Sequence, residues 1–112
     1  AIVKSLLFNA GDDFVLCLIS GDKKCSLNKL KKILNKKDVS MANPDDVKKI
    51  TGYTIGGVSP IGHLIKVNIF IDINLERFSS VFAAAGHPNC VFKINFDQLS
   101  KLTLGVVTDL VE

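Results

Sequence analysis

The order of apolar and polar residues predicts a chain of short strands and helices that begins with a β-hairpin. Lys4 to Phe8 and Phe14 to Ser20 are apolar runs, and Asn9 to Asp13 between them is rich in turn-forming residues. Two such runs joined by a short polar segment pair most readily as antiparallel strands. Both runs are apolar at almost every position, so we expect strands that are buried on both faces, as in a barrel-like sheet.

Two amphipathic helices follow the hairpin. In the first, leucine and isoleucine recur at helical spacing after Ser26, which is suited to cap the helix, and Asn35 is suited to end it. The second helix is predicted to begin with Asn43 as its N-cap and Pro44 at the first helical position, and to end at Gly52.

The rest of the chain alternates strands with short helical segments. Ile73 to Phe78 is predicted as a turn of helix, and Asp97 is predicted to cap a short helix that carries Leu99. Further strands are predicted at Val39 to Met41, Val67 to Asp72, Ser80 to Ala85, Cys90 to Asn95 and Val106 to Val111. We therefore expect one α/β domain over residues 1–112, built on a single mixed, barrel-like β-sheet with surrounding helices.

The segment from Thr51 to Gly62, which we call the glycine loop, is the best candidate for a binding site. Gly56 and Gly57 allow positive φ and leave the backbone open to a ligand, whereas Pro60 stiffens the loop and pushes Ser59 toward extended geometry. Exposed amides in a stiff loop suit a carbonyl or phosphate oxygen, and a plain structural turn is the alternative. The loop lacks both the P-loop lysine and the glycine spacing of a dinucleotide site.

Composition narrows the class of protein. Hydrophobic residues make up 47% of the 112 residues, which is typical of a folded domain. No apolar run approaches the roughly 18–20 residues that cross a bilayer, so we expect no membrane contact. Cys17, Cys25 and Cys90 form no CxxC pair, which argues against a disulfide framework and a zinc site. We expect neither a metal nor another cofactor, and a reducing, cytoplasmic setting.

The net charge of +3 is unevenly distributed, because lysines crowd the segment from residue 23 to residue 37. Lys29, Lys31 and Lys32 are the candidates to attract a nucleic acid backbone. The alternative is a solvated helix face. Arg77 is the single arginine, so the cluster offers point charges and not bidentate recognition.

A few polar residues stand out by their context. Lys4 interrupts an apolar strand, and its ammonium either reaches the surface or meets an anion in a cavity. Asp72 either caps the following turn of helix or orients a loop in a site. His87 lies in a turn after small residues, where it is a surface residue or a base, and His63 is expected to face solvent. Ser59 has no base beside it, so we expect it to form hydrogen bonds and not to act as a nucleophile.

Several short segments keep a fixed order along the chain. They are Val3-Lys4-Ser5-Leu6-Leu7-Phe8, Thr51-Gly52-Tyr53, Gly56-Gly57-Val58-Ser59-Pro60-Ile61-Gly62, Ile71-Asp72, Ala84-Ala85-Gly86-His87-Pro88 and Val91-Phe92. In order and spacing they resemble the YbaK/ProX family of aminoacyl-tRNA-editing deacylases.

The resemblance implies a hydrolase that cleaves the ester between a wrong amino acid and tRNA, typically a small amino acid on tRNA(Pro), without a metal. Members of the family are free-standing or form the editing insertion of prolyl-tRNA synthetase, so aminoacyl-tRNA and that synthetase are the expected partners. Members usually carry a helical segment before the lysine strand. The sequence begins without one, and we expect part of the pocket lid or of the tRNA contact surface to be missing. The oligomeric state is not predicted.

The resemblance also assigns roles to residues. The amides of Gly57, Val58 and Ser59 are implied to hold the ester carbonyl, and Lys4 the terminal phosphate or carbonyl region. The implied substrate pocket is lined by Gly56, Pro60, Asp72, Gly86 and His87. The alternatives are a non-catalytic module of the same fold that binds an aminoacyl group or nucleotide, and a structural domain whose glycine loop only turns the chain.

Overall fold

A long antiparallel hairpin begins the fold. In the computed structural model, which describes residues 2–87 and 89–112, strand β1 spans Val3–Ala10 and strand β2 spans Asp13–Ser20. The two strands pair in register from Val3 opposite Ser20 to Ala10 opposite Asp13. Gly11 takes a φ of 64° in the two-residue turn, which is a conformation that glycine adopts without a steric penalty. The predicted hairpin is therefore confirmed, with a shorter turn than expected.

The hairpin forms the centre of a mixed five-stranded sheet. Strands β3 (Val39–Met41), β4 (Asn68–Asp72) and β7 (Val106–Thr108) join it in the order β3-β1-β2-β4-β7. Pairing is antiparallel at β1–β2 and β1–β3, and parallel at β2–β4 and β4–β7. The prediction of a mixed α/β sheet is confirmed. The described strands end the sheet at β3 and β7, so the sheet is open and its predicted barrel-like closure is not observed.

A second, two-stranded sheet replaces the predicted single sheet. It consists of β5 (Val81–His87) and β6 (Cys90–Ile94), which pair antiparallel with a register irregularity between Ala84 and His87. A parallel bridge from Ile2 to Phe82 attaches β5 to the start of β1. The predicted turn at residues 86–89 is corrected, since the strand runs on through His87. Pro88 and Ala1 lie outside the described residues.

Three α-helices and a 3₁₀ helix surround the sheets. They are α1 (Leu27–Leu34), α2 (Pro44–Thr51), α3 (Phe96–Thr103) and the 3₁₀ helix Ile73–Arg77. Ser26 and Asn43 cap α1 and α2 as predicted, and Asn35 and Gly52 end them in the left-handed conformation. The predicted cap of α3 was wrong. Asn95 caps it, with its side chain accepting from the Gln98 amide in a reciprocal capping box, and Asp97 lies inside the first turn.

The five-stranded sheet separates two hydrophobic cores, because successive side chains of a strand point to opposite faces. The larger core includes Val3, Leu7, Leu16, Leu18, Val58, Ile71, Val81, Ala83 and Leu99. The smaller core includes Phe8, Val15, Cys17, Ile19, Leu30, Phe70, Leu110 and Val111. The glycine loop and the β5–β6 sheet therefore pack on one face of the sheet, and α1 and the C-terminal residues pack on the other.

Two further observations complete the fold. β7 ends at Thr108, earlier than predicted, and Val111 forms an isolated bridge with Cys25 before α1. Within residues 2–87 and 89–112, no helix combines the length and the apolar character that a bilayer crossing requires.

Candidate functional site

The glycine loop is a compact, tied structure. At its base, the Leu64 amide donates to Thr51 O at 3.2 Å and the Ile65 amide donates to Ile50 O at 2.9 Å. Within it, Thr54 to Gly57 form a turn in which Gly56 has a φ of 86° and the Gly57 amide donates to Thr54 O at 2.9 Å. A positive φ at the third turn position is the requirement of a type II turn and explains the glycine.

Two backbone amides of the loop donate no hydrogen bond in the described structure. The predicted oxygen-binding donors were the amides of Gly57, Val58 and Ser59. The Gly57 amide donates to Thr54 O inside the turn, which removes it from this set. In the described part of the chain, the amides of Val58 and Ser59 have no acceptor within hydrogen-bonding geometry. Val58 anchors the loop because its side chain is buried in the larger core. The Ser59 side chain is also buried, and its Oγ accepts from the Ile61 amide at 3.4 Å, so the hydroxyl acts as a loop constraint.

Tyr53 braces the loop. Its hydroxyl donates to Ile61 O at 2.9 Å, and its amide donates to Thr51 Oγ1 at 3.1 Å. Thr51 Oγ1 donates in turn to Val47 O at 2.6 Å, so the brace is anchored on α2. The loop is therefore held at its far side as well as at its base.

The same tyrosine brings Gly86 to the loop. A Cβ on Gly86 would lie 3.0 Å from Tyr53 Cε1, and a Cβ on Gly62 would lie 2.8 Å from the Tyr53 hydroxyl. Both glycines also have positive φ, 92° at Gly86 and 76° at Gly62. Gly86, which the sequence predicts as a site residue, is thus packed beside the glycine loop, although the two lie far apart in the chain.

The two histidines are held differently from each other. His63 Nε2 lies 2.6 Å from Ser59 O, and the His63 ring stands edge-on to Tyr53 with ring centroids 6.1 Å apart. The expectation that His63 faces solvent was wrong, since its ring clamps the Ser59 carbonyl. His87 is exposed at the end of β5, and its Nδ1 accepts from the Asn89 amide at 3.2 Å. The other ring nitrogen of His87, Nε2, takes no part in this bond.

Lys4 lies on the opposite face of the five-stranded sheet from Val58. It shares that face with Leu6 and Phe8, and it lines one cavity of about 650 Å³ with Ile2 and Phe78. The Lys4 side chain is half-buried. The sequence left two environments open for its ammonium, the surface or a cavity, and in the structure Lys4 lines a cavity. The Ile2–Phe82 bridge joins the start of β1 to β5, the strand that carries Gly86 and His87. Lys4, two residues after Ile2, therefore lies close to this β1–β5 seam.

A second cavity beside Lys4 contains a perturbed thiol. The cavity is about 300 Å³ and is also lined by Lys24 and Cys25. A hydrogen bond from Cys17 lowers the pKa of Cys25 below its ordinary value. The same interaction, together with burial, raises the pKa of Cys17. Cys17 is completely buried, as the sequence predicted for a small core residue.

Asp72 is a buried hydrogen-bond acceptor. Its side chain is completely buried at the end of β4, where Oδ1 accepts from the Leu110 amide at 3.0 Å. It makes no capping bond to the 3₁₀ helix that follows, contrary to one of the two predicted roles. Oδ2 has no hydrogen-bond partner among the described residues. Asp72 thus joins β4 to the C-terminal segment.

The predicted tRNA-binding lysines do not form one group. Lys29 Nζ donates to Asp109 Oδ2 at 2.7 Å and to Val111 O at 2.6 Å, so it ties α1 to the C-terminal segment. Lys31 and Lys32 lie in the last turn of α1 and line a shallow depression with Lys37. Unlike Lys29, these three lysines present charge that is not engaged by a carboxylate in the described part of the chain.

Sequence reasoning missed the roles of Tyr53 and His63. The motif Thr51-Gly52-Tyr53 marked the tyrosine as part of the resemblance but assigned it no contact. A signal was present, because glycines at 62 and 86 are expected where a large side chain approaches the backbone closely. Within residues 2–87 and 89–112, no group of three or more His, Cys, Asp or Glu residues is placed to hold a metal ion.

Comparison with known proteins identifies the family of the chain. A family model described as an aminoacyl-tRNA editing domain matches residues 1–102. A solved structure described as a candidate trans-editing enzyme for prolyl tRNA synthetase has a TM-score of 0.95 and 35% identity. That match covers 99% of this chain and 70% of the other chain.

The chain covers very different shares of two relatives. The uncharacterised protein YwhH of Bacillus subtilis (strain 168) is 34% identical over 107 residues, which are 95% of this chain and 68% of YwhH. A proline–tRNA ligase of Lactobacillus johnsonii is 50% identical over 88 residues, which are 79% of this chain but only 16% of the ligase. The chain thus resembles one part of a much longer ligase.

Proposed function

The chain belongs to the aminoacyl-tRNA editing domain family, and from that premise we propose that it is a deacylase that removes a wrongly attached amino acid from tRNA. The observation that carries the proposal is the pair of amides at Val58 and Ser59. They are free of internal acceptors in the described structure and lie in a loop braced against Gly86 through Tyr53. Preorganised amides of this kind stabilise an oxygen that gains negative charge during acyl transfer.

The reaction is the hydrolysis of an ester. The two amides bind the ester carbonyl oxygen, which becomes an oxyanion when a nucleophile adds to the carbonyl carbon. Collapse of the tetrahedral intermediate then expels the ribose oxygen of the tRNA, which takes up a proton. Because His63 Nε2 is engaged by the Ser59 carbonyl, the nucleophile in this proposal is water, assisted by a hydroxyl of the substrate, and the proton that the water loses is the one that the ribose oxygen takes up. Positioning and oxyanion binding supply the rate, and no metal is invoked.

Lys4 has an electrostatic role in this proposal. Its place along the β1–β5 seam suits attraction of a backbone phosphate near the acylated end of the tRNA. Gly56, Pro60, Gly86 and His87 line the substrate pocket. Asp72 has an indirect role in this proposal, since its carboxylate is buried and accepts from the Leu110 amide.

The proposed substrate carries a small amino acid on tRNA(Pro). The residues that precede His87 on β5 are small, so the backbone can approach the aminoacyl group closely, and a close-fitting site excludes larger groups better than it rejects smaller ones. The similarity to part of a proline–tRNA ligase and to a candidate trans-editing enzyme supports tRNA(Pro) as the carrier and prolyl-tRNA synthetase as a partner.

A second candidate function is non-catalytic binding of an aminoacyl group. One observation favours it: His63 Nε2 lies against the Ser59 carbonyl and His87 Nδ1 accepts from the Asn89 amide, so neither of these two ring nitrogens is available as a base. A domain with this pocket and no base would bind the acylated end of a tRNA and release it unchanged. The same experiment separates the two functions.

The test is deacylation of tRNA(Pro) charged separately with alanine, serine and cysteine. We expect at least one of these esters to be hydrolysed faster than in buffer alone, and Lys4→Ala to lower kcat/KM by about tenfold, which is about 1.4 kcal/mol. Lys49→Ala is the matched control, because it removes an equal charge from the exposed face of α2. Equal decay with and without protein, together with measurable binding of the charged tRNA, would leave the binding module as the function.

A further inference from the structure

Cys17 and Cys25 form a pair of thiols that the proposed reaction does not use. Cys17 lies on β2 and is completely buried in the smaller core, and the half-buried Cys25 packs against the same core from the segment before α1. The Cys17 thiol donates a hydrogen bond to the Cys25 sulfur, so the two sulfur atoms are in contact. Only a small side-chain movement separates this contact from the S–S distance of roughly 2 Å in a disulfide.

Backbone pairing holds both cysteines in place. Cys25 forms an isolated antiparallel bridge with Val111, and the adjacent Ser26 amide donates to Leu110 O at 2.6 Å. Cys17 lies on an interior strand of the five-stranded sheet, since β2 is paired with β1 on one side and with β4 on the other. The contact between the two sulfur atoms therefore follows from the fold and not from the conformation of a free loop.

The two thiols differ in their access to solvent. Cys25 lines the cavity of about 300 Å³ described above, which Lys4 and Lys24 also line. Positive charge near a thiol favours the thiolate, which is the form that reacts with oxidants. A small oxidant that enters this cavity reaches Cys25 first, because Cys17 is completely buried.

The groups around Cys25 act on its thiol in opposite directions. The hydrogen bond from Cys17 is the largest influence and lowers the pKa of Cys25, whereas burial and the negative charges of Asp72 and Glu112 raise it. The balance leaves the pKa of Cys25 below the ordinary value, and the pKa of Cys17 is raised. Cys25 is therefore the better nucleophile of the pair, and Cys17 stays protonated until Cys25 has reacted.

We propose that Cys25 is an oxidation site for hydrogen peroxide, and that Cys17 converts the oxidised product into an intramolecular disulfide. A partly accessible thiolate beside a second thiol is the arrangement typical of peroxide-sensitive cysteines. This chemistry is separate from the proposed deacylation, since both of its steps involve only the oxidant and these two side chains.

The oxidation proceeds in two steps. The Cys25 thiolate first attacks one oxygen of hydrogen peroxide, so that the O–O bond breaks, hydroxide leaves and Cys25 becomes a sulfenic acid. The Cys17 sulfur then attacks the Cys25 sulfur, the S–O bond breaks, and a second hydroxide leaves as the disulfide forms. The two hydroxides combine with the two thiol protons to give water, and two electrons pass from the sulfur atoms to the peroxide. Cellular thiols reverse the reaction, so the disulfide is transient in a reducing compartment.

The test uses Cys90→Ser, because removal of this exposed cysteine leaves only the proposed pair. Treatment with hydrogen peroxide should remove both free thiols and reduce the intact mass by two hydrogens, and dithiothreitol should restore both thiols. Trypsin cleaves after Lys23 and Lys24, between the two cysteines, so the disulfide is identified as a cross-link between two peptides. This measurement requires no substitution in the core.

Two further variants of Cys90→Ser separate the roles of the two thiols. With Cys17→Ala added, no disulfide can form, and Cys25 should accumulate as a sulfenic acid that dimedone traps. With Cys25→Ser added, Cys17 should remain reduced, because it is completely buried. Circular dichroism verifies that both variants are folded. In the wild type, we expect peroxide to oxidise Cys25 at least about tenfold faster than the exposed Cys90.

Three results would overturn the proposal. They are the persistence of both thiols in peroxide-treated Cys90→Ser, a disulfide that links two chains instead of residues 17 and 25 of one chain, and oxidation of Cys25 no faster than that of Cys90. Oxidation of Cys17 at an unchanged rate in Cys25→Ser would overturn the assigned order of the steps. Each readout is a mass or a thiol count and needs no charged tRNA, so failure of this proposal is distinguishable from failure of the proposed function.

Discussion

Tyr53 shows how one side chain determines the identity of two glycines that are distant in sequence. Its ring and hydroxyl occupy the space that a Cβ would need at Gly86 and at Gly62. Gly56 differs from both, because it has a similar φ of 86° but no heavy atom within 4 Å of a built Cβ. Glycine is thus required at residue 56 by backbone conformation alone, and at residues 62 and 86 by conformation together with packing against Tyr53.

The comparison of Gly86→Ala with Gly56→Ala separates these two reasons. Both variants place alanine in the left-handed region, which costs about 1 kcal/mol or more. Gly86→Ala must also displace the Tyr53 ring, so we expect its free energy of unfolding to fall by about 1 kcal/mol more than that of Gly56→Ala. Urea unfolding measures the difference. Equal losses in the two variants would show that Tyr53 does not press on Gly86, and adding Tyr53→Leu should remove the excess.

The sequence predicted the residues of the loop but not what holds them. Gly56, Pro60 and Ser59 follow from local backbone chemistry, and the resemblance added Gly86. The clamp from His63 to Ser59 O was not predicted, because a histidine after a glycine gives no sign of the carbonyl that it meets. The sequence predicted that the Gly57 amide binds the ligand. It gave no sign of the hydrogen bond from this amide to Thr54 O, because that bond exists only once the turn has formed.

Helix ends are the elements that the sequence predicted most fully, and α3 is the instructive exception. Ser26 precedes an apolar helical pattern, and Asn43 is distinguished from Asp45 and Asp46 by Pro44 at the first helical position. Before α3, both Asn95 and Asp97 are good capping residues within one turn of each other, and local preference does not choose between them. The choice falls on Asn95 because Gln98 at the third helical position returns a bond to its amide at 3.3 Å.

Substitution at both positions tests this assignment. Asn95→Ala should lower the free energy of unfolding by about 1 kcal/mol, as expected for the loss of an N-cap. Asp97→Ala should change it by only a few tenths of a kcal/mol, which reflects the favourable position of a carboxylate in the first turn. Thermal unfolding monitored by circular dichroism measures both. A larger loss in Asp97→Ala than in Asn95→Ala would contradict the assignment.

At the scale of the whole molecule, the open sheet divides the predicted site residues between two faces. Strand alternation was readable in the sequence, so the separation of Lys4 from Leu7 could be predicted. The separation of Lys4 from Val58 could not, because it depends on the side of the sheet to which the glycine loop returns after α2. The sequence also gave no sign that Lys29 differs from Lys31 and Lys32, because the groups that bind the Lys29 ammonium lie at the other end of the chain.

The contrast between Lys29, which pairs with a carboxylate, and Lys31 and Lys32, which do not in the described chain, predicts which lysines bind tRNA. Replacement of Lys31 and Lys32 by alanine should reduce the slope of log affinity against log salt concentration by about two, which is about one for each phosphate that the variant no longer neutralises. Lys29→Ala is the matched control from the same helix, since its ammonium is paired with Asp109. It should leave the slope unchanged and slightly lower stability. Filter binding over a range of salt concentrations tests the prediction, and an unchanged slope in the double variant would mark these lysines as a solvated helix face.

The two neighbours of β2 differ sharply in their distance along the chain. β1 is joined to it by a two-residue turn, whereas Val15 of β2 pairs with Asn68 of β4, about fifty residues later. Local pairing closes a short loop at little entropic cost, and distant parallel pairing is slow. During synthesis, the apolar hairpin therefore leaves the ribosome with one long edge unpaired until β4 follows. That interval is the period in which the chain is most exposed to aggregation.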